Sequence, residues 1–99
     1  MISMRYLVID ASLSGTGIRN KYEGGYINPE DLCLKIDTIK RLNNWLLKYE
    51  EEHYNGFQNN KLIDALDLEG KEIALCIKAE IAEVKIEYFS DARMTNQMI

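Results

Sequence analysis

Asp10 holds the most chemically suggestive position in this sequence. It closes the apolar run Tyr6-Leu7-Val8-Ile9 and is followed by the hydroxyls of Ser12, Ser14 and Thr16. A carboxylate at the end of a buried strand can contribute to a metal site, although metal-assisted hydrolysis needs several carboxylates converging on the ion. The structural alternative is that Asp10 caps the turn leaving the strand, because an Asp side chain accepts hydrogen bonds from backbone N–H groups just ahead of it. The single histidine, His53, stands in Tyr-Glu-Glu-Glu-His-Tyr. General-base work would require an orienting partner and a nucleophile, and no pattern in the sequence points to either. Tyr49 and Phe57 lie four residues to either side, so no ligand stands one helical turn away to complete a metal pair. A helix-end position that favours the imidazolium through the helix dipole is the simpler role for His53.

The phrase RYLVIDAS, Arg5 to Ser12, resembles the opening strand of PIN-domain nucleases. That resemblance implies a metal-dependent nuclease in which Asp10 helps bind the catalytic ion. It covers this phrase alone, and the Gly-rich segment that follows does not read as a helix. Ser14-Gly15-Thr16-Gly17 suggests a phosphate cradle, but no Gly-Lys-Ser or Gly-Lys-Thr follows, and Asn20 stands where a dinucleotide fingerprint has Gly or Ala. Cys33 and Cys76 lack metal-ligand spacing and sit among apolar residues, so they are expected to be buried, reduced thiols. Trp45 and the methionines need no cofactor to explain them, and none is expected.

Length and charge narrow the function classes. The 99 residues have room for one core, so residues 1–99 are expected to form a single domain. Apolar residues make up 46% and charged residues 28%, which predicts a folded chain rather than a disordered one. The net charge is −4 and no basic run occurs, which argues against direct nucleic-acid binding because phosphates demand a basic footprint. An acidic surface suits a basic protein partner. The apolar stretch Tyr6 to Ile9 is too short for a signal-peptide core or a membrane span, and no lipidation motif is visible, so a cytoplasmic protein without membrane contact is expected. Met1 and Met4 are both candidate starts, which makes the first three residues a candidate extension outside the fold.

The elements that must position these residues follow from periodicity. Arg5 to Ala11 is β-branched and aromatic and predicts a buried strand. Ser12 to Gly25 carries Gly15, Gly17, Gly24 and Gly25 and predicts a surface loop. Asn28-Pro29-Glu30-Asp31 has the cap, the proline and the carboxylates of a helix start, and predicts one helical turn. Between Lys35 and Asn55, the residues Ile36, Ile39, Leu42, Leu46, Tyr49 and His53 recur at steps of three and four and predict a helix, ended by Asn55-Gly56. A second helix is predicted over Asn60 to Ala82, with Leu62, Leu66, Ile73, Ile77 and Ile81 on its stripe; Gly70 signals close packing or a break. Val84 to Phe89 alternates apolar and charged residues and predicts a strand, after which residues 91–99 form a frayed polar tail. The expected class is α/β (α+β), ordered strand, loop, helix, helix, strand, with two helices packed on a small sheet. Two strands are a marginal sheet, so either the loop over residues 12–27 adds a strand or an edge pairs with a partner or a second copy; a homodimer stays open.

What remains is surface. Tyr22 and Tyr26 flank Gly24 and Gly25, and Tyr is a common interface anchor. Glu50, Glu51 and Glu52 with Asp64, Asp67 and Glu69 outnumber Lys48 and Lys61 and could form an acidic face toward a basic partner, while charge runs at helix ends also simply face water. The stretch GGYINPEDL, the helix containing NNWLLKYEEEHYNGF, then LEGKEIALCIKAE and the closing VKIEYFSD resemble small bacterial immunity proteins encoded beside polymorphic or contact-dependent inhibition toxins. The similarity runs over most of residues 22–91. It implies a cytoplasmic, non-enzymatic protein that binds a cognate toxin domain, often a nuclease, and blocks it. On that reading Tyr22, Tyr26 and the six carboxylates are the candidate partner-binding residues, with no catalytic, metal or cofactor residues. The alternatives are the metal-dependent nuclease using Asp10 and a non-catalytic subunit of another complex.

Overall fold

The computed structural model describes residues 4–99, so the candidate extension formed by residues 1–3 lies outside it. The elements are β1 (Arg5–Ile9), β2 (Ile18–Asn20), a single 3-10 turn (Pro29–Leu32), α1 (Ile36–Tyr54), α2 (Asn60–Glu80), β3 (Val84–Ser90) and β4 (Thr95–Met98). The sheet order is β2-β1-β3-β4, with β1 and β3 parallel and both edge strands antiparallel to their neighbours. Both helices form the crossover between β1 and β3, as a parallel pair requires. The class is thus a small α+β domain, two helices on a four-stranded mixed sheet.

Alternation puts Leu7 and Ile9 of β1 and Ile86 and Tyr88 of β3 on one sheet face, where they join Ile18, Leu42, Trp45, Tyr49, Leu66, Ile73 and Ile77 in one core. On α1 the buried positions are Thr38, Leu42, Trp45, Tyr49 and Glu52, a stripe turned from the expected one so that Ile36 faces solvent. Trp45 sets that rotation: its ring lies 6.1 Å from that of Tyr88, and its indole N–H donates to the Leu66 carbonyl at 2.8 Å. Gly70 does not break α2. A Cβ there would come within 2.7 Å of Trp45 Cζ2 and would also strike Tyr88, so glycine is where α2 lets the two rings in.

Caps explain the element ends. The Asn28 carboxamide accepts from Glu30 N–H ahead of Pro29, Gly56 takes φ +75° just past α1, and the Asn59 side chain accepts from Leu62 N–H to open α2. The predicted loop contains β2, whose Ile18 is fully buried; Gly17, at φ +93°, lets the chain pass Leu42, where a Cβ would come within 2.8 Å of Leu42 Cδ1. The segment expected as a frayed tail contains β4. Its four residues are all exposed, since an edge strand is held by its backbone ladder rather than by apolar burial. The thiols also depart from expectation: Cys33 is exposed at the left-handed residue ending the 3-10 turn, and Cys76 is half-buried on α2. Among the described residues no helix is long and apolar enough to cross a membrane.

Candidate functional site

Because β1 and β3 run parallel, with Ile9 opposite Tyr88, the residues that follow both strands emerge at the same end of the sheet. In open α/β sheets this end is the usual place for a site. Asp10 lies here, 1% exposed. Its Oδ1 accepts from the Tyr26 hydroxyl at 2.8 Å and, more weakly, from Ser12 N–H at 3.4 Å, so the turn-capping role is present. Its Oδ2 lies 3.1 Å from Arg19 Nε, close enough for ion pairing though off the hydrogen-bonding line. Asp91, just past β3, accepts from Ser12 Oγ at 2.8 Å through Oδ2, while its Oδ1 is buried with no partner among the described residues. Burial raises the Asp91 carboxyl above the ordinary carboxylate range, and the Asp10 charge adds to this against the opposing Ser12 hydrogen bond. His53 Nε2 sits 3.0 Å from the Ala11 carbonyl, to which it donates, and 3.8 Å from Asp91 Oδ2. Burial, chiefly, also raises the Tyr26 hydroxyl.

This end of the sheet therefore gathers Asp10, Ser12, Arg19, Tyr26, His53 and Asp91. Asp10, however, is enclosed and already met by a cation. Among the described residues no group of three His, Cys, Asp or Glu is arranged to hold a metal ion. Ser12 donates to Asp91, not to His53, so the three do not form a nucleophile–base relay. Asp91 was missed from sequence. A signal for it existed, since β1 and β3 each run out into Asp-Ala, Asp10-Ala11 and Asp91-Ala92.

A second polar cluster is built between α2 and β3 around Asp67. Its Oδ1 accepts from Tyr49 OH at 2.9 Å and Tyr88 OH at 2.7 Å, and its Oδ2 from Ser90 Oγ at 2.8 Å and Arg93 Nη1 at 3.1 Å. Burial pushes the Tyr49 hydroxyl up to about 12, and burial together with the Asp67 carboxylate raises Tyr88 further. Beside this cluster a cavity of about 440 Å³ opens between α2 and β4, lined among others by Asp64, Lys71, Arg93, Asn96 and Gln97. Its charges are balanced, and Arg93 bridges its two carboxylates, Asp64 at 2.7 Å and Asp67 at 3.1 Å.

The expected partner-binding residues do not form one face. Tyr22 is 72% exposed and stacks edge-on against Tyr6 at 5.8 Å, on the sheet face away from the helices. Tyr26 is less exposed and its hydroxyl is committed to Asp10. Glu52 and Asp67 are buried, because both lie on the core-facing stripes of their helices. Glu69 is paired with Lys48 at 3.2 Å and Arg41 at 3.7 Å, and Asp64 with Arg93. Only Glu50 and Glu51 are both exposed and, among the described residues, without a basic partner. They share the outer side of α1 with Leu47, 64% exposed, and Tyr54, 77% exposed, at helical spacings of three, four and seven. Leu47 and Tyr54 were overlooked because the sequence draws attention to the buried stripe.

No family model, curated protein or solved structure matches the chain.

Proposed function

We propose that this chain is a non-catalytic, immunity-type binding protein of the cytoplasm that neutralises a cognate bacterial toxin domain by one-to-one association. The observation that supports it most is the outer side of α1, where Leu47 and Tyr54 stand free of the core beside Glu50 and Glu51, which have no basic partner among the described residues. Two apolar anchors flanked by carboxylates suit a basic surface carrying an apolar recess. Inhibition by occlusion needs such complementarity and no catalytic groups, and the groups that could do chemistry are largely engaged with one another inside the domain.

The experiment is capture of the tagged protein's partner from the bacterium that makes it, followed by toxicity and binding assays with variants. A one-to-one complex, relief of that partner's toxicity, and binding weakened at least about tenfold by Tyr54→Ala or by Glu50→Lys with Glu51→Lys are expected. A captured toxin bound equally well by all variants removes α1 as the interface, and absence of a toxic partner removes the immunity reading.

A second reading, a metal-dependent nuclease, draws on one observation: Asp10 and the half-satisfied Asp91 end adjacent parallel strands. The ion would have to displace Arg19 from Asp10. Nuclease activity that requires a divalent ion and is lost in Asp10→Asn would establish it; none with magnesium or manganese would dismiss it.

A further inference from the structure

The two edges of the sheet are not equivalent. The outer edge of β2 is covered by the chain itself: Arg19 bridges to Tyr26, Ile27 N–H donates to the Ile18 carbonyl at 2.8 Å, and Asn20 N–H to the Gly25 carbonyl at 2.8 Å. The outer edge of β4 has no such cover among the described residues. Nor does Thr95-Asn96-Gln97-Met98 contain the lysine, proline or bulge by which sheet proteins usually guard an open edge. Every one of its four residues is exposed and uncharged, in a chain that otherwise carries net charge −4.

The ladder shows which backbone groups are free. Ile99 N–H donates to the Ile86 carbonyl at 2.9 Å, and the register places Gln97 opposite Tyr88 and Thr95 opposite Ser90. In an antiparallel pair every second residue bonds inward, so Thr95 and Gln97 turn their N–H and C=O groups toward β3, and Ile99 its N–H, while the Ile99 carbonyl accepts from Lys78 Nζ at 2.8 Å. Asn96 and Met98 turn theirs outward. We propose that this edge pairs with itself: two copies join β4 to antiparallel β4 about a two-fold axis at Gln97, forming one eight-stranded sheet. In that register Asn96 of each copy faces Met98 of the other, and the outward groups of these residues close four backbone hydrogen bonds. Gln97 lies opposite its own copy on the helix side, where two neutral amides can meet without repulsion. A charged strand could not pair with itself in this way, whereas this neutral one matches a second copy. The surface does not depend on the outer side of α1, so the partner proposed above could be absent and this dimer still form.

A strand of four residues makes a small interface, well below the roughly 1,200 Å² of a standard one, so the dimer is weak. The test is sedimentation equilibrium of the full chain from about 10 micromolar to about 1 millimolar, a range that covers weak association. Gln97→Glu and Gln97→Lys each place like charges directly opposite across the axis, and each weakens association by about fivefold or more. An equimolar mixture of the two restores it as a heterodimer, an outcome a folding defect in either variant would not give. Met98→Pro removes an outward N–H without touching a bond to β3 and also weakens association. Circular dichroism confirms that each variant is folded. A wild-type chain that stays monomeric throughout the range overturns the proposal, as do Gln97 variants that associate as wild type does or a mixture that fails to recover association.

Discussion

Asp67→Ala should unfold the protein more effectively than any surface change, although its position in an acidic segment suggests a solvated side chain. The carboxylate is 7% exposed and accepts from Tyr49, Tyr88, Ser90 and Arg93. Truncation leaves the hydroxyl of Tyr88, which has no other partner among the described residues, buried without an acceptor, at a cost of about 1–3 kcal/mol. Ser90 and Tyr49 lie 3.4 Å apart and recover part of their loss in each other, while Arg93 retains Asp64. Adding the charge-assisted bonds given up brings the expected loss to about 3–5 kcal/mol, a large part of the stability of a chain this size. Asp67→Asn keeps one acceptor for the two tyrosines but turns an amide N–H₂ toward Ser90 and Arg93, and should lose about 1.5–3 kcal/mol. Urea denaturation followed by circular dichroism reads both; with a slope near 1 kcal/mol per molar, the Asn variant shifts its midpoint by about 1.5–3 M and the Ala variant is at the limit of folding. A loss below about 1 kcal/mol for Asp67→Ala would refute the view that this cluster holds α2 against β3.

Alkali should attack the same cluster. Tyr49 and Tyr88 are raised above 10 in the folded state, so the native chain keeps protons that the unfolded chain releases; their stabilisation is whole below pH 10 and declines as pH rises toward about 12. Stability measured by denaturant titration should fall by about 1.4 kcal/mol per pH unit for each tyrosine in that window, and Tyr49→Phe should flatten the slope. Gly70→Ala should destabilise despite a helix-propensity gain of about 1 kcal/mol, because the new methyl meets Trp45 and Tyr88; a net loss of about 1–3 kcal/mol in thermal or urea unfolding is expected, and a gain would mean that the contact relaxes at little cost.

The parts of the fold that repeat were readable in the sequence, and the parts fixed by pairing were not. Both helices and the two central strands announce themselves through period, caps and β-branched runs. β2 has one core residue, Ile18, between glycines and polar residues, and β4 has none, so neither carries a pattern; each exists because a neighbouring strand offers a ladder. The polar sites divide in the same way. Asp10 was visible because it ends an apolar run, but its partners Arg19 and Tyr26 arrive from the segment expected to be a loop. Asp67 looked like surface because its neighbours Asp64 and Glu69 are charged. The steps from Ile63 and Leu66 to Gly70, Ile73 and Ala74 place it beside the buried stripe, and the hydroxyls of Tyr49, Tyr88 and Ser90 together with the Arg93 guanidinium make burial there tolerable.

The parallel pairing of β1 with β3 also constrains the order of assembly. Leu7 and Ile86 sit side by side although most of the chain separates them, whereas β1 with β2, β3 with β4, and α1 with α2 each meet across short connections. Closing so long a loop is entropically costly until the intervening segments are compact, so the two hairpins and the helical pair can form early while the centre of the sheet waits for both. A chain emerging from the ribosome holds β1 and β2 without their main neighbour until β3 is free. Until then the inner edge of β1, paired with β3 in the finished molecule, is an open pairing surface.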